Sequence, residues 1–174
     1  MLHRIHADGF VVAKLDFANA SNRLHRDAMV QAVADKVPEI YKFCYLLYQQ
    51  SSISQFSRLK LLSNAGSQRG DPFGPLLFCL TIHSLLIPTT SDLTICFMDD
   101  VTLDGYADTA ARDVEMFRTK GVEMGLQLNV QKCELVSANS SHPIATSLED
   151  FVQMEPNNQL LSFMRPTSPQ QRHG

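Results

Sequence analysis

Two hydrophobic periods run through this chain, and they mark out its elements one after another. Residues Gly9 to Asp16 (GFVVAKLD) are valine-rich and opened by glycine, which favours a buried strand. Asn19 or Asn22 suits a helix cap, and Leu24, Ala28, Val30 and Val33 give an apolar stripe through about Lys36. Val37-Pro38-Glu39 opens a second helix, because proline fits a first helical turn. Ile40, Phe43, Cys44, Leu47 and Tyr48 then recur at helical spacing until Ser51 to Ser54 breaks the run. Residues 53–62 alternate as a small antiparallel pair, and Gly66 to Gly74 is turn-rich. Pro75 to Leu86 reads as a buried helix. Asp92 to Phe97 alternates, with Leu93, Ile95 and Phe97 on one face of a strand. Asp99-Asp100, Val101 to Leu103 and the close at Asp104-Gly105 make a hairpin whose tip carries two carboxylates. Asp108 caps a helix to about Met124, and Gly125 ends it. Leu126 and Leu128 lead to a last strand, Lys132 to Val136.

Beyond Ser137 the pattern dissolves. Residues 156–174 are dense in Pro, Asn, Gln, Ser and Arg and read as a mobile tail. There is no internal repeat. The sum is an α+β domain, an antiparallel sheet covered by helices on one face, over residues 1–150, with 151–174 a disordered or unrelated tail.

Composition changes this picture little. At 174 residues the chain holds one ordinary domain, and 44% apolar with 19% charged residues is enough for a core. The net charge of −3, from 15 basic and 18 acidic residues, is not that of a free-standing nucleic-acid binder. A local basic surface around an acidic site remains compatible with it. Cys44, Cys79, Cys96 and Cys133 form no CxxC pair, and His3 with His6 is too little for a tetrahedral zinc site, so buried reduced thiols are expected. No apolar run of about 20 residues predicts a membrane span, and no targeting signal is present. An intracellular place, cytoplasm or nucleus, is the expectation.

The acidic residues carry the chemistry. Asp-Asp in a turn is ordinarily a turn-former. Here Ile95-Cys96-Phe97-Met98 runs apolar straight into the pair, and carboxylates at a core edge are costly unless something positive neutralises them. Mg²⁺ is held by one or two carboxylates plus phosphate oxygens. If the strand ending at Asp16 neighbours the hairpin, Asp16 and Asp99 converge as ligands for two metals clamping an in-line phosphoryl transfer.

Four stretches make the reading specific. Lys14-Leu15-Asp16-Phe17-Ala18-Asn19-Ala20, followed by Asn22 and Leu24-His25-Arg26, resembles the first catalytic motif of non-LTR (LINE-type) retrotransposon reverse transcriptases. Gly66 to Phe78 (GSQRGDPFGPLLF) resembles their second motif, and Phe97-Met98-Asp99-Asp100 the aromatic-x-Asp-Asp signature. Gly125 to Asn129 with Lys132-Cys133-Glu134 resembles the motif that follows. Their order and separations cover residues 9–136.

The resemblance implies a polymerase palm with Asp16 and Asp99 as ligands of two Mg²⁺ ions (Mn²⁺ as a substitute) and Asp100 as an accessory acid. An RNA template, a DNA primer and deoxynucleotides are the implied partners. A primer 3′-hydroxyl would attack the α-phosphate of the incoming nucleotide, with positioning and charge neutralisation supplied by the protein. Phe17, Ser21, Arg69, Gly70, Asp71 and Pro72 would lie on the nucleotide and template side, where glycine permits close backbone approach. Lys132 either faces the departing pyrophosphate or is a solvated lysine at a strand end.

Three departures stand out. The fifth residue after the first aspartate, usually a bulky aromatic that blocks a 2′-hydroxyl, is Ser21, so weaker exclusion of ribonucleotides is expected. The residue before Gly70, usually glutamine, is Arg69, either a phosphate donor or a variant tolerated at a loop edge. Only about fifteen residues precede Asp16, so fingers and thumb are expected to be largely missing and the isolated chain inactive. The alternatives are a catalytically silent retroelement remnant and an RNA- or DNA-binding fragment. An unrelated phosphotransferase would need a P-loop or GxGxxG, and neither occurs.

Overall fold

A computed structural model describes residues 8–50, 52–56, 59–68, 70–137 and 146–154; for 52–56 and 59–63 it gives the backbone course alone. The core strand is β1, Phe10–Leu15, every residue of which is buried except the half-buried Lys14. It pairs antiparallel with β5, Asp100–Tyr106, on one side and with β6, Glu134–Ser137, on the other. β4, Leu93–Phe97, pairs antiparallel with β5, and the short β7, Val152–Met154, pairs parallel with β6. The order is therefore β4-β5-β1-β6-β7. A separate hairpin joins β2, Ser52–Phe56, to β3, Leu59–Ser63.

Alternation along the strands separates two faces. Val11, Ala13 and Leu15 of β1, Val101 and Leu103 of β5 and Leu135 of β6 point into the main core. That core is closed by α4, Gly74–Leu86, through Leu77, Phe78, Ile82 and Leu85, and by α5, Ala107–Glu123, through Ala110, Val114 and Phe117. Further helices, α2 (Arg26–Lys36) and α3 (Tyr41–Tyr48), stack outward from α4, α2 through Met29 and Val33 and α3 through Cys44 and Tyr48. The opposite face of the sheet is open apart from a small cluster of Phe10, Val12 and Val136 with Met154 against it. Helices on one face and an open sheet on the other are what the hydrophobic pattern predicts.

The structure corrects several expectations. The first helix is broken. A short α1, Ala20–Arg23, ends at Leu24, whose extended backbone lets α2 start afresh. Leu93, Ile95 and Phe97 do share a face, but it is the open one: Ile95 is 47% and Phe97 79% exposed, while Cys96 packs toward the helices. α4 is buried along one side only, with Leu76 and Cys79 exposed, so of the four thiols only Cys44 and Cys133 are fully buried.

The packed domain also continues past its expected end at 150. A 3₁₀ turn, Thr146–Leu148, buries Leu148, Phe151 is buried, and β7 adds a strand. These apolar residues are isolated in a polar stretch and make no periodic signal. The proposed tail from 156 lies outside the described residues. Among the described residues no helix is long and apolar enough to cross a membrane.

Candidate active site

Asp16 sits where β1 runs out. Its backbone N–H points to the Cys133 sulfur at 3.4 Å, and its carbonyl accepts from the Asn129 N–H at 2.8 Å. Phe17 then bridges Leu128, and the Ala18 N–H donates to the Gln127 carbonyl at 2.9 Å. The Gly125 to Asn129 stretch thus works as backbone scaffolding that holds the end of β1. Gly125, at φ 86, ends α5 and lets the chain turn close beneath Arg23 and His25.

The second acidic site is built by the β4–β5 hairpin. Phe97 pairs with Asp100, so Met98 and Asp99 form a two-residue loop. Of these two only Met98 has a positive φ, 56°, the signature of a type II′ turn, which glycine usually fills. A methionine there is a strained residue at the tip that carries the acids.

Register brings the two sites together. Leu15 pairs with Val101, so one step further along antiparallel strands Asp16 stands across from Asp100, with Asp99 next to it in the loop. Val101 and Leu103 face the helices, so Asp100 and Thr102 look out from the open face. Lys14 shares that side, its Nζ 3.9 Å from Asp100 Oδ1, with both side chains about half exposed. A pair so placed is screened and contributes little to stability. Sequence reasoning missed it, although alternation from Asp16 places Lys14 on the acidic face.

Two cysteines report the local field. Burial pushes the Cys96 thiol up to about 11, reinforced by Cys79 and by the carboxylates of Asp99 and Asp100. Cys133 is also raised, first by burial; the hydrogen bond from the Asp16 backbone opposes this, and the Asp16 carboxylate adds to it.

Divalent metal is the cofactor this arrangement calls to mind, and its donor chemistry fits. Asp16 and Asp99 offer hard carboxylate oxygens, half-buried, at one edge of the sheet, of the kind that could hold it. Among the described residues, no three His, Cys, Asp or Glu groups come close enough to cage an ion without help. The remaining ligands would have to be phosphate oxygens and water, as is usual for Mg²⁺.

The other expected residues divide. Phe17 is in the core, its ring 6.2 Å from that of Phe117, so its side chain is unavailable to a nucleotide. Ser21 is half-buried on α1, and its carbonyl accepts from the Ser67 N–H at 3.1 Å, which ties the second motif to the first. Gly66 is pressed on the Ser21–Asn22 backbone and has no room for a Cβ. Gly70 is exposed at φ 83 with open space around it. Its glycine answers to backbone conformation rather than to any close approach within the chain. Pro72 is exposed. Asp71 is spent internally: its carboxylate accepts from the Phe73 N–H at 2.9 Å, at the start of α4, and from the Tyr48 hydroxyl. Lys132 is exposed at the end of a 3₁₀ turn, Val130–Lys132. Arg69 lies outside the described residues.

An open, mostly antiparallel sheet with carboxylates at neighbouring strand ends and helices behind it has the architecture of a polymerase palm. The sequence matches the reverse transcriptase (RNA-dependent DNA polymerase) family over residues 3–164, and the chain belongs to that family. None of the curated proteins matches it. Among solved structures it is similar to apo telomerase from Candida tropicalis truncated from the C-terminal domain, with a TM-score of 0.61 at 11% identity over 83% of this chain and 33% of that one. Apo telomerase from the same organism gives 0.61 at 10% identity, covering 78% and 30%. The telomerase complex with a TWJ fragment of telomeric RNA gives 0.59 at 12%, covering 76% and 26%. At these identities the likeness is one of fold, and this chain spans about a third or less of each telomerase chain.

Proposed function

We propose that this chain is the palm of an RNA-directed DNA polymerase of non-LTR retrotransposon type, with Asp16 and Asp99 as ligands for two Mg²⁺ ions. The observation that carries the reading is the register that sets Asp16 across from Asp100 and beside the Asp99 loop. Bound there, divalent cations would neutralise phosphate charge and clamp the attacking and leaving oxygens. The chain's own part is positional. The type II′ loop presents Asp99, the Asn129 and Cys133 contacts hold Asp16 at the strand end, and Lys14 balances Asp100.

RNA template, DNA primer and deoxynucleotides are the partners this reading implies, in the cytoplasm or nucleus. Exposed aromatic and aliphatic side chains on α3, among them Phe43, Tyr45 and Leu46, support a palm that works with further surfaces over it. On this reading the 174-residue chain alone extends primers poorly.

Primer extension on an RNA template, with Mg²⁺ or Mn²⁺, tests both parts. Whatever extension occurs should vanish in Asp99→Asn. Extension indifferent to Asp99→Asn would sink the site assignment, and vigorous extension by the chain alone would sink the dependence on other surfaces. In the same assay Ser21→Phe should increase discrimination against ribonucleotides. Unchanged discrimination would remove Ser21 from that role.

A further inference from the structure

The one buried arginine among the described residues, Arg26, sits at 6% exposure beneath the Gly66 to Phe73 loop. Its Nε donates to the Gly66 carbonyl at 3.2 Å, and its Nη1 donates to the Gln50 carbonyl at 2.9 Å, just past α3. The guanidinium lies over the Tyr48 ring, 5.5 Å from the centroid, close enough for a cation–π contact. Tyr48, itself 3% exposed, turns its hydroxyl to the same loop. That hydroxyl accepts from the Gln68 N–H at 3.3 Å and donates to the Asp71 carboxylate, so one oxygen spans residues 68 to 71. Asp71 passes the restraint on to α4 through the Phe73 N–H. At its near end, the loop is fixed to the segment just after Asp16 by the Ser67 N–H on the Ser21 carbonyl.

The loop is thus held at both ends and across its base, while its apex at Gly70 stands exposed in a left-handed conformation. A buried guanidinium and a buried phenol are expensive supports for a surface loop, since each must be hydrogen-bonded to be tolerated. An apolar plug would fill the same space. What the polar network adds is a single geometry, because satisfied buried networks specify one arrangement.

We propose that Arg26, Tyr48 and Asp71 are positioning residues that hold Gly66, Gln68 and Phe73, the described anchor points of this loop, in the geometry that receives the incoming nucleoside triphosphate. The inference rests on reading that loop as the nucleotide side of the site. The three residues need not touch the ligand. They act by removing the loop's freedom before the ligand arrives, so that binding does not have to supply the ordering.

Tyr48→Phe deletes one hydroxyl with no change of shape, and Asp71→Asn weakens its partner. Two readouts on the whole chain separate bracing from positioning: amide hydrogen exchange across residues 66–73, and equilibrium binding of a fluorescent deoxynucleoside triphosphate with Mg²⁺. Tyr48→Phe should speed exchange in this loop, leave β1 and β5 unchanged, and weaken nucleotide binding about 5–10-fold, the worth of one buried hydrogen bond. The double variant Tyr48→Phe/Asp71→Asn should be no weaker than the weaker single, because both break the same link. Arg26→Lys, which keeps the charge and loses the fork, should behave like Tyr48→Phe. Unchanged exchange in folded Tyr48→Phe overturns the brace. Faster exchange with unchanged nucleotide affinity overturns the positioning role. A wild-type chain that binds no nucleotide overturns instead the reading of the loop on which the proposal stands.

Discussion

Glycine at two positions of one loop answers to different demands, and the difference is measurable. Gly66, at φ 71, has the Ser21 carbonyl and the Asn22 backbone where a Cβ would go. Gly70, at φ 83, has open space. Gly70→Ala therefore costs only the left-handed backbone, about 1–2 kcal/mol. Gly66→Ala adds a backbone clash that no side chain can relieve, and should cost more than about 3 kcal/mol. Urea denaturation of the two variants should rank them so; equal losses would mean that the Ser21–Gly66 contact gives way easily. Tyr48 belongs to the same scale. Burial pushes its phenol up to about 12, helped by the hydrogen bond to Asp71 and opposed by the Gln68 N–H and Arg26. The part that Asp71 supplies should vanish in Asp71→Asn.

Among the elements, the hairpin that carries Asp99 depends on a clamp at its far end. Asp113 of α5 is 3% exposed and sits against the turn that leads into β4. Its carboxylate accepts from the Thr90 N–H at 2.9 Å, the Ser91 N–H at 2.7 Å and the Ser91 hydroxyl at 2.6 Å. Thr90 contributes its own hydroxyl at 3.2 Å. A carboxylate this well satisfied adds a polar join between helix and hairpin to the apolar packing of α5 on β5. Asp113→Ala orphans two backbone N–H groups and should cost about 2–4 kcal/mol. Chemical denaturation measures it, and a loss under about 1 kcal/mol would show that water replaces the carboxylate. The clamp and the II′ turn act on opposite ends of β4, so the acidic tip is held from both.

For the whole molecule, the alkaline limb of stability follows from raised groups, of which Cys96 and Tyr48 move further than Cys44 and Cys133. Cys96 moves from 9.0 to about 11 and Tyr48 from 10.0 to about 12. Each folded group holds its proton more tightly than the unfolded one. The stability they contribute is therefore complete below pH 9 and is lost as pH rises through 9–11 for Cys96 and 10–12 for Tyr48. Urea midpoints measured from pH 8 upward should fall across that window, and Tyr48→Phe should flatten the upper part. A midpoint level to pH 12 would contradict both assignments.

Much of the architecture was legible from residues alone, for a local reason. Valine richness in Gly9 to Asp16, the apolar run in Pro75 to Leu86 and the glycine stop at Gly125 are properties of neighbouring residues, and local sterics favour the elements they mark whatever the rest of the chain does. The acidic residues were legible too, since charge next to an apolar strand is visible in one dimension. Contacts between distant segments were not. Nothing near Asp71 in sequence announces that Tyr48 will take its carboxylate, or that Arg26 will lie under Gly66. Leu148 and Phe151 are buried in the main core, the turn that carries Leu148 packing on α5 and the strand after Phe151 pairing with β6, although the stretch around them has no period. Phe17 shows the same limit: beside the first aspartate it reads as part of the site, yet strand alternation and Phe117 put it in the core. The sequence by itself thus determined the elements and the acids at their ends, because both are short-range. Only the tertiary structure decided which face is open, what braces the Gly66 to Phe73 loop and how residues 146–154 join the sheet and its core. Those depend on side chains that meet only when the sheet has closed its register.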